Sequence, residues 1–144
     1  MSAGWEPDDV VAVIDTLAKR FGESALQAVD FALSQSAAAW GRELAAADNH
    51  QTTPQRFVAH FTSGPQPESC LIESGEDSAT IETARCSPYN IFKQLGRLDV
   101  GYRFKCSQDP SIIAGYDAGI TLEVQSCMMT GDKTCIHRYS RRRT

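Results

Sequence analysis

Apolar residues in the first third of the chain recur every three or four positions. Val10, Val13, Ile14, Leu17 and Phe21 follow Pro7, Asp8 and Asp9, a spacing that predicts a helix ended by Gly22. Leu26, Val29, Leu33, Trp40 and Leu44 recur through the alanine-rich "SALQAVDFALSQSAAAWGRELAAA". They predict a second, longer helix with Ser24 as its candidate cap and "DNHQ" as its end. The many alanines allow that helix to press closely on a neighbour. Thr53 and Pro54 open a short third helix, "PQRFVAHFTSG", with threonine at the N-cap and proline at N1.

Beyond the turn-forming "GPQPES" the period shortens to two. "CLIES" and "ATIETARC" alternate around "GEDS", which predicts a β-hairpin. Ser87 and Pro88 then open a helix, "SPYNIFKQLG", closed by Gly96. Cys86 falls where the strand gives way to this helix, a position whose N-terminal dipole favours a thiolate. "RLDVGYRFKCSQDPSIIAGY" is mixed, with one short helix expected around 108–115. "ITLEVQSCMM" and "KTCIHRYS" read as two strands joined around Gly131 and Asp132. Strand alternation puts Cys135, His137 and Tyr139 on one face of the last strand, with Ile136 and Arg138 on the other. The expected fold is α+β: N-terminal helices packed on an antiparallel sheet made of two hairpins separated by a helical region. It is expected as a single domain over 1–144, with a helical part at 1–63 and a sheet-containing part at 68–140 that carries the cysteine motifs.

With 144 residues, the chain can bury roughly two-thirds of the surface its unfolded form exposes. An apolar fraction of 42% and a charged fraction of 22% suit a soluble globular protein. No apolar run approaches the roughly 20 residues that span a bilayer, so no membrane partner is expected. The opening "MSAGWEPDDVV" has neither the basic nor the apolar region of a secretory signal, and a cytoplasmic location is the default expectation. In that reducing setting the five cysteines are free thiols, metal ligands or nucleophiles rather than a disulfide framework. None forms a C-x-x-C pair, so any cluster has to be assembled by folding.

The net charge of −4 conceals an asymmetry. Residues 1–82 carry 13 acids and 4 bases, and residues 83–144 carry 5 acids and 10 bases. The acidic total argues against nucleic acid as a partner, and the cationic half suits a small anionic ligand. Arg141, Arg142 and Arg143 read as a solvated tail. Phosphate-binding glycine loops and a G-x-S-x-G elbow are absent from the sequence.

Among the cysteines, Cys70 and Cys127 lie in apolar runs and read as structural. Cys86, Cys106 and Cys135 have polar neighbours: Arg85 before Cys86, Asp109 after Cys106, and His137 and Arg138 after Cys135. A cation lowers a thiol pKa, whereas a carboxylate raises it. Asp109 is therefore better suited to handle protons or anchor a cationic substrate group than to activate Cys106. A zinc site built from Cys86, Cys106, Cys135 and His137 is chemically possible, but nothing in the spacing demands it, and no cofactor is expected.

"TARCSPYNIFKQLG", "CSQDPSIIAGY" and "MMTGDKTCIHRY" together resemble the L-2-amino-thiazoline-4-carboxylic acid hydrolase family. The family's ordered elements fall on Arg85 and Cys86, Leu95 and Gly96, Cys106 and Asp109, and Gly131 and Cys135, over roughly residues 80–139. The family's strand before R-C usually carries an asparagine, where this chain has Glu82. The arginine that the family often has before its last motif is missing from "TLEVQSCMM".

The resemblance implies hydrolysis of a C–N bond in a small cyclic amidine that carries a carboxylate, giving a carbamoyl-cysteine on a route to cysteine. It implies Cys106 as nucleophile with Cys86 as the second choice, and Asp109 as acid and base. Arg85 would hold the substrate carboxylate, with Arg138 as its substitute, and Cys135 and His137 would line the pocket. Two other readings stand beside it: a small-molecule-binding or sensing domain similar to 4-vinyl-reductase-type domains, and a metal-dependent enzyme using the cysteines as ligands. Oligomeric state is not readable.

Overall fold

A computed structural model of the chain describes residues 6–143. Helices α1 (Pro7–Phe21), α2 (Glu23–Ala47) and α3 (Pro54–Thr62) precede strands β1 (Ser69–Ser74) and β2 (Ser78–Thr83). Helices α4 (Ser87–Gln94), α5 (Leu98–Phe104) and α6 (Asp109–Tyr116) follow, and strands β3 (Ile120–Ser126) and β4 (Cys135–Arg141) close the order. Short 3₁₀ turns at Cys106–Gln108 and Met128–Thr130 link α5 to α6 and β3 to β4. The architecture is α+β, as the alternation of periods predicts.

Local chemistry sets most of the boundaries. Prolines 7, 54, 88 and 110 each occupy the first turn of a helix, where the missing N–H costs nothing. Thr53 caps α3, its Oγ1 accepting the Arg56 N–H at 3.0 Å. Gly22, at φ +73°, both ends α1 and stands at the N-cap of α2. Ser24 is therefore not the cap: it lies inside the first turn, and its hydroxyl donates back to the Phe21 carbonyl at 3.4 Å. Helix α5 was not resolved by the sequence pattern. It is short and contains Gly101, and its support is tertiary. Arg97 at its N-cap donates to both carboxylate oxygens of Asp15 on α1 at 2.6 and 2.8 Å, and Gly101 lets the Phe92 ring lie against the backbone.

The four strands form one antiparallel sheet in the order β1-β2-β4-β3. The two hairpins thus join through β2 and β4, pairing Thr83 with Cys135, Ile81 with His137, and Ala79 with Tyr139. The side chains of these six residues share one face, and α3 packs against it. Phe57 of α3 is 1% exposed and touches Tyr139 and Tyr116, with ring centroids 4.8 and 5.0 Å apart. Burying a side chain of that size contributes roughly 1.5–3 kcal/mol.

Helices α2 and α6 meet backbone to backbone. A methyl group on Gly41 would run into the Ile112 carbonyl, and one on Gly115 would run into the Ala38 carbonyl. The small residues of α2 make the close approach anticipated from its alanines, and the contact holds the start of α6 over the sheet.

Candidate active site

A cleft of about 730 Å³ lies between the inner face of β2 and β4 and helices α2, α3 and α6. One end is polar. Cys86, at the N-cap of α4, and Cys106, in the 3₁₀ turn before α6, reach it together with Cys135. Asp109, the first residue of α6, and His137, the middle of the three inward residues on β4, line the same end. The other end is apolar, with Trp40, Phe57, Phe61 and Ile112 in its wall.

Burial controls the chemistry of this end. It pushes the Asp109 carboxyl up to about 7, although the residue opens a helix whose dipole favours the anion. It also lowers the His137 imidazole below its usual value. Asp109 Oδ2 and His137 Nε2 are 3.8 Å apart, which satisfies a distance criterion for an ion pair. Both shifts, however, run toward the neutral forms, so desolvation governs the contact and the pair is not a salt bridge.

The thiols are protonated for the same reason. Burial first, and then neighbouring thiols and Asp109, push Cys106 well above its ordinary value; burial also raises Cys86 and Cys135. The expectation that a helix N-terminus makes Cys86 a thiolate is thus reversed. The Glu68 carboxylate already occupies that terminus, accepting from the Ser87 hydroxyl at 2.5 Å and the Ser87 N–H at 3.3 Å.

Folding brings Cys86, Cys106, Asp109, Cys135 and His137 to one cleft. It does not bring the two arginines. Arg85 is exposed and lies outside the lining, and Arg138 extends from the opposite face of β4, between Thr80 and Glu123. Neither is placed to hold a carboxylate beside Cys106. The basic side chain that does line the cleft is Lys105, with the neutral imidazole of His137 beside it.

Sequence reasoning missed two contributors. Cys127 is buried behind the polar end, in one cluster with Cys135 against which Cys106 and Cys86 pack. A β-bulge at Val124–Ser126 and the Asp132 carboxylate, which accepts the Cys127 N–H at 2.9 Å, fix it there. Gln108 is also buried in the cleft wall. Its Nε2 donates to the Arg103 carbonyl and to Ser107 Oγ, both at 3.0 Å, while its Oε1 has no partner. Among the described residues no three His, Cys, Asp or Glu side chains are grouped so as to hold a metal ion.

Fold and site together define an α+β protein whose helix-walled cleft ends in thiols and a carboxyl that is half protonated near neutrality. The chain belongs to the L-2-amino-thiazoline-4-carboxylic acid hydrolase family, matching it over residues 5–139. The match is wider than the segment at roughly 80–139 where the motifs lie, and it takes in helices α1 to α3. The family's name describes a hydrolase acting on a thiazoline carboxylate. No curated protein and no solved structure matches the chain significantly. No helix among the described residues is long and apolar enough to cross a membrane.

Proposed function

We propose that the protein opens a ring C–N bond of a cyclic amidine such as 2-aminothiazoline-4-carboxylate, with Cys106 as nucleophile and Asp109 as proton carrier. The observation that supports this reading best is the Asp109 carboxyl, poised at about 7 in the same cleft as Cys106. A group with that pKa serves as base and acid in alternation at neutral pH.

The substrate enters as the amidinium, its ring nitrogen protonated. Ionised Asp109 takes the Cys106 proton as Sγ bonds to C2. Protonated Asp109 then gives that proton to the ring nitrogen as the C2–N bond breaks, leaving a protonated dithiocarbonimidate ester in which C2 carries Sγ, the former ring sulfur and the amino group. Water attacks C2 and yields a proton to Asp109. The C2–Sγ bond breaks, and Asp109 returns the proton to sulfur. The carbonyl forms as its hydroxyl proton passes to the freed amine. The sum is substrate plus one water, giving a carbamoyl-cysteine. Cys106 is preferred to Cys86 because it shares one turn with Asp109, whereas Cys86 stands beside the Glu68 carboxylate. Gln108 Oε1 accepts from the amino group on C2, and Lys105 faces the substrate carboxylate at the mouth.

Turnover of the aminothiazoline carboxylate followed by product mass tests the reading. The product should gain the mass of one water, and Cys106→Ser should lose roughly a thousandfold in kcat with its fold intact. Full activity in Cys106→Ser would remove that residue from the role, and full activity in Cys86→Ser as well would end thiol catalysis at these two sites.

A further inference from the structure

The polar end occupies only part of the cleft. Along β4 the inward residues run from Cys135 through His137 to Tyr139, a span of roughly 13 Å at about 3.3 Å per residue. Beyond His137 the wall changes character. Phe57 meets Tyr139 edge-on at 4.8 Å and Phe61 at 5.1 Å, and Phe61 meets Trp40 at 5.8 Å. Trp40 is 42% exposed, so this aromatic run ends in an accessible face rather than a sealed core. A volume near 730 Å³ falls in the range that holds drug-sized ligands, roughly 300–1,000 Å³. A single small ring with a carboxylate would leave the aromatic end unfilled. The polar end also lacks the arginine that would hold such a compound by its charge, since Arg85 and Arg138 lie outside the lining.

We infer that the substrate is an elongated compound: a cyclic amidine head at Cys106 and Asp109, and an apolar alkyl or aryl substituent running over His137 to Trp40 and Phe61. Affinity then comes mainly from apolar burial, with Lys105 at the mouth in place of an arginine clamp on the carboxylate. The reactive head rests on the hydrolase reading above, whereas the apolar end rests on the shape and lining of the cleft alone.

A series of 2-aminothiazoline-4-carboxylates with N-alkyl groups from methyl to octyl tests this. Binding is measured by calorimetry on Cys106→Ser, and turnover on the native protein. Each added methylene that enters the aromatic end should tighten binding about fourfold until the end is filled. Trp40→Ala, at a half-exposed position, should flatten that dependence. Affinity that rises with chain length without any turnover supports the apolar site and rejects the hydrolase reading. Turnover of the unsubstituted ring with affinity unchanged or weakened along the series retains hydrolysis and overturns the inference.

Discussion

Asp109 Oδ2 faces His137 Nε2 at 3.8 Å, and burial shifts both groups toward their uncharged forms. The contact joins the start of α6 to the middle of β4, and it makes the polar end of the cleft sensitive to pH in the neutral range.

If Asp109 must act first as a base, kcat/KM rises with pH through an apparent pKa near 7, the value burial gives its carboxyl. Asp109→Asn should remove that limb along with most of the activity. A profile with no inflection between pH 6 and 8 (roughly one unit either side of that value) would show that another group limits the rate.

The same burial has a cost for stability. The folded-state pKa of Asp109 lies above its unfolded value of about 3.9, so the native state binds the proton more tightly. The native advantage is complete below about pH 4 and is lost as pH rises through about 7. Three units correspond to roughly 4 kcal/mol at most. Urea unfolding of Asp109→Asn should therefore show little change at pH 4 and a gain of up to a few kcal/mol at pH 8.

Gln108 lies in the cleft wall, and its buried carbonyl oxygen has no hydrogen-bond partner. Gln108→Glu should lower kcat, because an ionised side chain among buried thiols repels their developing charge. Gln108→Met should weaken substrate binding by roughly 1–3 kcal/mol with a smaller effect on kcat. Equal KM values for native and Gln108→Met would remove the oxygen from substrate recognition.

Gly41→Ala should destabilise the protein by roughly 1–3 kcal/mol or more, because the added methyl meets the Ile112 backbone and not a flexible side chain. Thermal unfolding measures this directly. A neutral result would mean that α2 and α6 can separate without cost.

What could be read from the chain depended on how local its cause was. The prolines that open four helices, the Thr53 cap and the inward register of Cys135, His137 and Tyr139 all follow from neighbours within a few positions. Cys127 did not, because a bulge and the hydrogen bond to Asp132, invisible in "VQSCMM", set it in the cluster against which Cys106 packs. Arg85 misled for the converse reason: adjacency to Cys86 says nothing of direction, and at a strand end successive side chains diverge. The carboxyl state of Asp109 was equally out of reach, since it follows from burial in the folded cleft, opposite His137 of β4. Helix α5 depended on Asp15, far away on α1.

The glycine contact between α2 and α6 reaches beyond packing. Trp40 stands one residue before Gly41 on α2, and Asp109 opens the helix that holds Gly115. With the two backbones in touch, Trp40 and the proton carrier ride on one rigid piece. The distance between them works as a ruler: it sets how long a substituent can be while its ring still reaches Cys106.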